Sequence, residues 1–111
     1  MTRLNILAVT ACISGVAYTY MAAEYIEKLA LQENWRVKVE TQGALGIENP
    51  IDESDILKGD LILIISNKQI DHKARFQQKR CLEIDINQFL LQDKVVLLKQ
   101  IKKVLSQPAG F

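Results

Sequence analysis

The sequence lacks a marked excess of charge of either sign, because 14 Lys and Arg stand against 13 Asp and Glu for a formal net charge of +1. A basic excess or a basic stripe is typical of proteins that bind nucleic acid by neutralising phosphates, so the charge balance argues against that class of function. Cysteine, proline and glycine are also scarce, with two, two and five residues. These counts exclude a disulfide-stapled miniprotein and a collagen-like repeat.

A long uninterrupted apolar segment is also missing near the N-terminus. After Arg3 no charge occurs until Glu24, but the apolar run at residues 4–9 is short and contains Asn5. A secretory signal needs an apolar stretch of about 7–15 residues, and a membrane-spanning helix needs about 20. Residues 9–12 resemble the lipid-attachment box of bacterial lipoproteins, an alternative in which cleavage before Cys12 would delete a predicted core strand. Without a signal, both cysteines are expected to be reduced thiols in the cytosol.

The composition is that of a globular protein. Hydrophobic residues make up 49% and charged residues 24% of the 111 residues. Such a chain buries a real core, and its length suits one domain, so we predict that residues 1–111 form a single domain.

Four segments have the patterns of strands. Residues 4–9 and 61–65 are nearly continuous apolar runs, typical of strands covered on both faces. Residues 36–41 alternate polar and apolar side chains, and residues 80–85 are mixed. We therefore expect the two apolar strands in the centre of a sheet and the two strands with one solvent-exposed face at its edges.

Helical patterns separate these strands. A long helix is predicted at residues 16–33 and a short one at residues 52–58, ended by Gly59. A last helix is predicted from an apolar stripe formed by Val95, Leu98, Ile101 and Leu105. The resulting order predicts a three-layer α/β fold of the flavodoxin or Rossmann type, with a four-stranded parallel sheet of order 2-1-3-4.

In such sheets a ligand binds beyond the carboxyl ends of the strands, where the strand order reverses. Cys12 lies there, in a loop that leads from strand 1 to the N-terminus of a helix. A helix N-terminus offers unpaired N–H groups and positive partial charge, while Gly15 lets the backbone curl closely. We predict Cys12 as the catalytic thiolate, because those groups favour its ionised form. The predicted phosphate-binding residues are Ile13, Ser14, Gly15, Val16, Ala17, Tyr18 and Thr19.

The same loop lacks an arginine. Protein tyrosine phosphatases place one after five intervening residues, and that position is Tyr18 here. Without a guanidinium to stabilise the transition state, rapid hydrolysis is disfavoured, and a carrier that passes phosphate on is favoured over a thiol phosphatase. On this local pattern alone, a structural cysteine with an incidental glycine in the turn is an open alternative.

Three blocks of the sequence carry a resemblance to a known family. They are Ala8-Val9-Thr10-Ala11-Cys12 with Gly15, Ala17, Thr19 and residues 21–24; residues 39–43 with Gly46, Glu48 and Asn49; and Asp71 with Arg75 and Phe76. With these blocks the chain resembles the fructose-type enzyme IIB of the bacterial phosphoenolpyruvate:sugar phosphotransferase system. The resemblance covers essentially the whole chain.

The resemblance implies a reaction and its partners. Cys12 would accept a phosphoryl group from a phosphohistidine on enzyme IIA and pass it to a fructose-like sugar held by the membrane component, enzyme IIC. It also implies a cytoplasmic domain in peripheral association with that permease, and neither a metal nor another cofactor. A sensor that docks partners with the same fold, without transferring phosphate, is the second alternative. Ile13 and Tyr18 depart from the family, which typically has Pro and His at these positions.

Two further residues have reactive side chains. His72 lies in a polar loop with Asp71 and Lys73, so it is expected to be solvated rather than phosphorylated. Cys81 opens the fourth strand without a donor-rich turn beside it, which indicates a structural thiol. The segment at residues 42–46 emerges at the same end of the sheet as Cys12, where it could support a loop, dock a partner or simply form a glycine-containing turn.

Overall fold

A computed structural model describes residues 3–13 and 16–107, with the side chain of Val16 excepted. In chain order the strands and helices are β1 (Asn5–Ala11), α1 (Val16–Glu33), β2 (Arg36–Gly43), β3 (Gly46–Glu48), α2 (Glu53–Lys58), β4 (Leu61–Ser66), a 3₁₀ turn (Lys73–Phe76), β5 (Cys81–Ile84), α3 (Ile86–Leu91) and α4 (Lys94–Leu105). None of the helices in these two ranges is long and apolar enough to span a membrane.

The sheet confirms the predicted α/β class and corrects the predicted four-stranded parallel sheet. It has five strands in the order β3-β2-β1-β4-β5. The pairs β1–β2, β1–β4 and β4–β5 are parallel, whereas β3 pairs antiparallel with β2, so the sheet is mixed. The four strands read from the sequence are β1, β2, β4 and β5; the fifth was missed.

The missed strand β3 completes a tight hairpin. Gly43 pairs with Gly46 across a two-residue connection, and Gly46 has a φ of 94°. Glycine adopts such positive φ values without steric cost, which permits the reversal. Because β3 is only three residues long and exposed, no alternation of polar and apolar residues could reveal it.

Strands β1 and β4 are buried, as predicted. In β1 and β4 every residue is buried except the first of β1 and the last of β4. Helices α1, α3 and α4 cover one face of the sheet, with Ile26, Phe89 and Ile101 in the core. Ile51 and Phe76, from the connections around α2 and β5, cover the other face. Because β1 pairs in parallel with both β2 and β4, the carboxyl ends of these three strands lie side by side at one end of the sheet.

The C-terminal part differs from the sequence prediction. Helix α3 was missed, since six residues are too few to show a helical period. In α4 the buried residues are Leu97 and Ile101, while Val95 is 53% exposed, so the predicted stripe is wrong at its first position. The side chain of Asp93 accepts from the Val95 N–H, so Val95 lies in the exposed first turn of α4, whereas Ile101 of the predicted stripe is buried.

Candidate functional site

Cys12 lies at the carboxyl end of β1, in the middle of the sheet. Its predecessor Ala11 pairs with Gln42 at the end of β2 and with Ser66 at the end of β4. The Cys12 side chain is buried, with 7% of its surface exposed. The thiol therefore lies beyond the carboxyl ends of the parallel strands, which is where α/β sheets bind ligands.

Asn67, the residue after β4, holds the segment that carries the thiol. Its side-chain Oδ1 accepts a hydrogen bond of 2.8 Å from the Ile13 N–H. Its Nδ2 lies 3.5 Å from the Cys12 Sγ and donates to it. One amide group thus contacts both the backbone after Cys12 and the Cys12 sulfur.

The loop after Cys12 leads directly into α1, which begins at Val16. The first N–H groups of an α-helix have no acceptor within the helix, so this end is a source of donors and of positive partial charge. Of the predicted phosphate-binding residues, Ala17 is exposed and Thr19 is fully buried. Ser14 and Gly15 lie outside the described residues, as does the side chain of Val16.

Two buried hydroxyls belong to the elements that meet at this edge. Thr10 precedes Cys12 by two residues in β1, so both side chains point to the α1 side of the sheet. Thr19 begins the buried stripe of α1. Within the described part of the chain, neither hydroxyl has a hydrogen-bond partner.

Apolar and aromatic side chains surround this edge on the surface. Ile13 is 72% exposed and Tyr18 is 44% exposed, while Leu45 projects from the β2–β3 turn. Tyr20 donates a hydrogen bond from its hydroxyl to Glu48 in β3, and this bond raises the pKa of the Tyr20 phenol. The β2–β3 hairpin is therefore tied to the first turns of α1.

The alternation in residues 36–41 predicted a partly exposed strand at the edge of the sheet, but β2 lies between β1 and β3 and buries Glu40. Its side chain is fully buried, and Arg75 donates to both carboxylate oxygens, at 2.8 and 2.6 Å. The Ile51 N–H and the Gln42 amide also donate to Glu40. Burial alone would raise the pKa of Glu40, but together these hydrogen bonds and the Arg75 charge hold it below its usual value.

Gln42 connects this ion pair to the loop that carries Asn67. Its Oε1 accepts from the Asp71 N–H at 2.8 Å, and its Nε2 donates to the Asp71 carbonyl at 3.1 Å. Segment 67–71 is thereby held at its first residue through Asn67 and at its last through Asp71. In residues 42–46, Gln42 therefore supports the neighbouring loop, while Gly43 and Gly46 form a hairpin turn.

Cys81 and His72 are the other two residues with reactive side chains. Cys81 is exposed at the amino end of β5, the edge of the sheet opposite to Cys12, and both cysteines are thiols. Partial burial, assisted by Glu83, raises the pKa of Cys81, which agrees with a structural thiol. His72 is exposed in a left-handed conformation, as expected for a solvated loop residue.

Asn67, Glu40 and Arg75 were not assigned to the site by sequence reasoning. A polar residue directly after a buried strand was the available signal for Asn67, because the carboxyl ends of β1 and β4 share an edge. Nothing local in residues 36–43 distinguishes a buried carboxylate from a solvated one. In the described ranges, no group of three or more His, Cys, Asp or Glu could hold a metal ion.

This chain is similar to known proteins over most of its length. A family model described as "PTS system, Lactose/Cellobiose specific IIB subunit" matches residues 7–106. The chain is 47% identical over 103 residues to "PTS system fructose-like EIIB component 3" of Escherichia coli K12, covering 93% of this chain and 90% of that protein.

Solved structures and larger relatives extend the match. The crystal structure of a predicted fructose-specific IIB from Escherichia coli superposes with a TM-score of 0.89 at 44% identity, covering 97% of this chain and 95% of that one. A "PTS system fructose-specific EIIABC component" of Mycoplasma pneumoniae is 35% identical over 102 residues, which are 92% of this chain and 15% of that protein. Relatives therefore occur fused to IIA and IIC parts, and this chain belongs to the IIB family of the sugar phosphotransferase system.

Proposed function

We propose that this IIB protein carries a phosphoryl group on Cys12, taking it from a phosphohistidine of enzyme IIA and giving it to a fructose-like sugar held by enzyme IIC. The observation that supports this proposal most strongly is the position of the thiol. Cys12 is a buried side chain at the switch point of the sheet, four residues before the N-terminus of α1. A helix N-terminus this close in sequence can stabilise a doubly charged phosphoryl group on the thiol.

The two transfers balance around a single sulfur atom. In the first, the Cys12 thiolate attacks phosphorus, the S–P bond forms, the P–N bond breaks, and the electron pair remains on the imidazole nitrogen of the donor. In the second, a sugar hydroxyl oxygen attacks phosphorus, the S–P bond breaks, and the electron pair returns to Sγ. A base of the sugar-binding partner takes the hydroxyl proton. Donors at the start of α1 stabilise the charge on the transferring group in both directions.

The arrangement of arginines favours transfer over hydrolysis. Arg75 is engaged by Glu40, and Arg3 donates to the carbonyls of Asn34 and Trp35. Arg80 donates to the Gln107 carbonyl, and Arg36 begins β2 at the opposite edge of the sheet. No guanidinium is committed to the transition state at Cys12, so a thiol phosphatase is the weaker candidate.

The relatives support the choice of partners. Relatives named fructose-like or fructose-specific suggest a fructose-like sugar, and the larger ones hold IIA and IIC parts in one polypeptide with the IIB domain. We therefore propose that this chain acts at the cytoplasmic side, in peripheral association with a membrane-embedded IIC.

Phosphorylation with matched cysteine variants tests the proposal. The protein is incubated with phosphoenolpyruvate, the general phosphotransferase proteins and a fructose-type IIA, and intact and peptide masses are measured. We expect one phosphoryl group, on the peptide that contains Cys12. Cys12→Ser should abolish transfer, because an alcohol is a poorer nucleophile and leaving group, and Cys81→Ser should preserve it. Phosphate on His72, or no phosphate, would overturn the proposal.

A second measurement separates the carrier from its alternatives. The phosphoprotein is isolated and mixed with either unphosphorylated IIA or buffer alone. A carrier returns phosphate to IIA faster than it loses phosphate to water. Rapid loss to water would instead favour a phosphatase, and failure to phosphorylate sugar in vesicles containing IIC would favour a sensor.

A further inference from the structure

We propose that Asn67 is a catalytic residue of this site, whose side-chain N–H groups stabilise negative charge on the Cys12 sulfur before attack and when the sulfur leaves. This inference deepens the proposed function and rests on it for the transfer steps. Its test also includes a reaction of Cys12 that needs no partner protein.

The two polar side-chain atoms of Asn67 make different contacts. The Oδ1 accepts from the Ile13 N–H at 2.8 Å, which orients the amide. With Oδ1 engaged in that way, Nδ2 donates to Sγ at 3.5 Å. An N–H donor at this distance from sulfur stabilises a thiolate more than a thiol, since a hydrogen bond to the charged form favours it.

The segment that carries Asn67 is held in place independently of the thiol. Ser66 accepts from the Lys68 N–H at 2.9 Å, and Gln42 is bonded in both directions to the backbone of Asp71. A donor held by such contacts need not reorganise when charge develops on sulfur, and this is the condition under which a single donor is most effective.

Few charged side chains on the neighbouring elements could influence the Cys12 thiol in addition to the Asn67 amide. Helix α1 has no charged residue before Glu24, though Tyr18 and Tyr20 lie in its first turns. On β2, Glu40 is paired with Arg75. Beyond Asn67, Lys68 is exposed and Asp71 ends the segment. The neutral Asn67 amide and the N-terminus of α1 are therefore the main groups that influence the ionisation of the Cys12 thiol.

Substitution of Asn67 by aspartate tests this role while keeping an acceptor for the Ile13 N–H. Asn67→Asp keeps an oxygen that can accept from the Ile13 N–H, but it replaces the donor to Sγ by a carboxylate oxygen. In a Cys81→Ser background Cys12 is the only cysteine, so its alkylation by iodoacetamide can be followed against pH. We expect Asn67→Asp to move the midpoint upward by about 1 pH unit, because a like charge disfavours the thiolate. Phosphorylation by IIA should slow about tenfold or more.

Two further variants separate electrostatics from folding. Asn67→Ala removes both contacts, and the expected midpoint lies between those of the parent and Asn67→Asp. Lys68→Ala changes the exposed neighbour and should leave the transfer rate within about twofold, since exposed charges are screened. Circular dichroism and urea unfolding of each variant identify any loss of folding.

The outcomes are distinct for the two proposals. If Cys12 is never phosphorylated but Asn67→Asp raises the alkylation midpoint, the carrier function fails and the effect of Asn67 on the thiol stands. An alkylation midpoint for folded Asn67→Asp at or below that of the parent would overturn the role of Asn67. So would a transfer rate equal to that of the parent.

Discussion

The Arg75 guanidinium donates to both carboxylate oxygens of Glu40 inside the protein, and through this pair it ties the turn at residues 73–76 to strand β2. Arg75 also donates to the Ile51 carbonyl at 2.9 Å and stacks on the Phe76 ring at 4.4 Å. Three segments that are distant in sequence thus meet at one ion pair, on the face of the sheet opposite to α1.

Removing one charge of this pair should destabilise the fold strongly. Glu40→Gln leaves the Arg75 guanidinium largely buried without a counter-charge, which costs about 3 kcal/mol of unfolding free energy. The matched control is Glu83→Gln, because the Lys73–Glu83 pair is exposed, and it should cost less than about 1 kcal/mol. Urea unfolding at pH 7 measures both. Equal losses in the two variants would show that the Glu40 pair is no stronger than a surface pair.

The same pair predicts how stability depends on acidity. Because the pKa of Glu40 is lowered in the folded state, its stabilisation is complete above the pKa of the unfolded chain, about 4.3. It is lost as the pH falls through the lower folded value. Urea unfolding in steps from pH 5 to pH 3 should show a steeper loss for the parent than for Glu40→Gln. Parallel curves would contradict this assignment.

Packing at Gly59 gives a separate stability prediction. A Cβ at Gly59 would lie 2.7 Å from Cδ1 and 3.0 Å from Cγ of the buried Leu7. We expect Gly59→Ala to cost about 1–3 kcal/mol, because the Leu7 side chain that the new methyl group would press on is buried. At Gly43 an added Cβ meets nothing within 4 Å, so Gly43→Ala serves as the control. Chemical unfolding of both proteins makes the comparison, and a neutral Gly59→Ala would mean that Leu7 can adopt another rotamer.

These contacts also show where sequence reasoning succeeds and where it ends. The apolar runs of β1 and β4 and the helix Val16–Glu33 are long enough for their period to be visible, so they were predicted closely. The burial of Glu40 is not visible in the alternation of residues 36–41, because its partner, Arg75, is 35 positions away. Cys12 was predicted as the nucleophile from its loop and the family resemblance, whereas its neighbour Asn67 is 55 positions away and comes into contact only through sheet register.

The hydrogen bond from Tyr20 to Glu48 should be detectable by titration of the tyrosines. The hydrogen bond to Glu48 stabilises the protonated phenol, so one tyrosine should ionise above the ordinary value of about 10. Ultraviolet absorbance against pH should show this component, and Tyr20→Phe should remove it. Glu48→Gln should lower its midpoint, because the charged acceptor is lost. If Tyr20→Phe leaves the highest-titrating component in place, another tyrosine is responsible.

The bonds between Gln42 and Asp71 should control how firmly Asn67 is held beside the thiol. Gln42→Leu keeps a side chain of similar size but removes both bonds to the Asp71 backbone, so the segment at residues 67–71 gains freedom. Amide hydrogen exchange of Asp71 should accelerate, since its N–H loses its acceptor. Phosphorylation of Cys12 should slow several-fold, roughly three to tenfold, because Asn67 is no longer pre-oriented. Gln69→Leu alters an exposed residue of the same segment and should change neither exchange nor transfer. Exchange at Asp71 that is unaffected by Gln42→Leu would show that Asn67 holds the segment without help from β2.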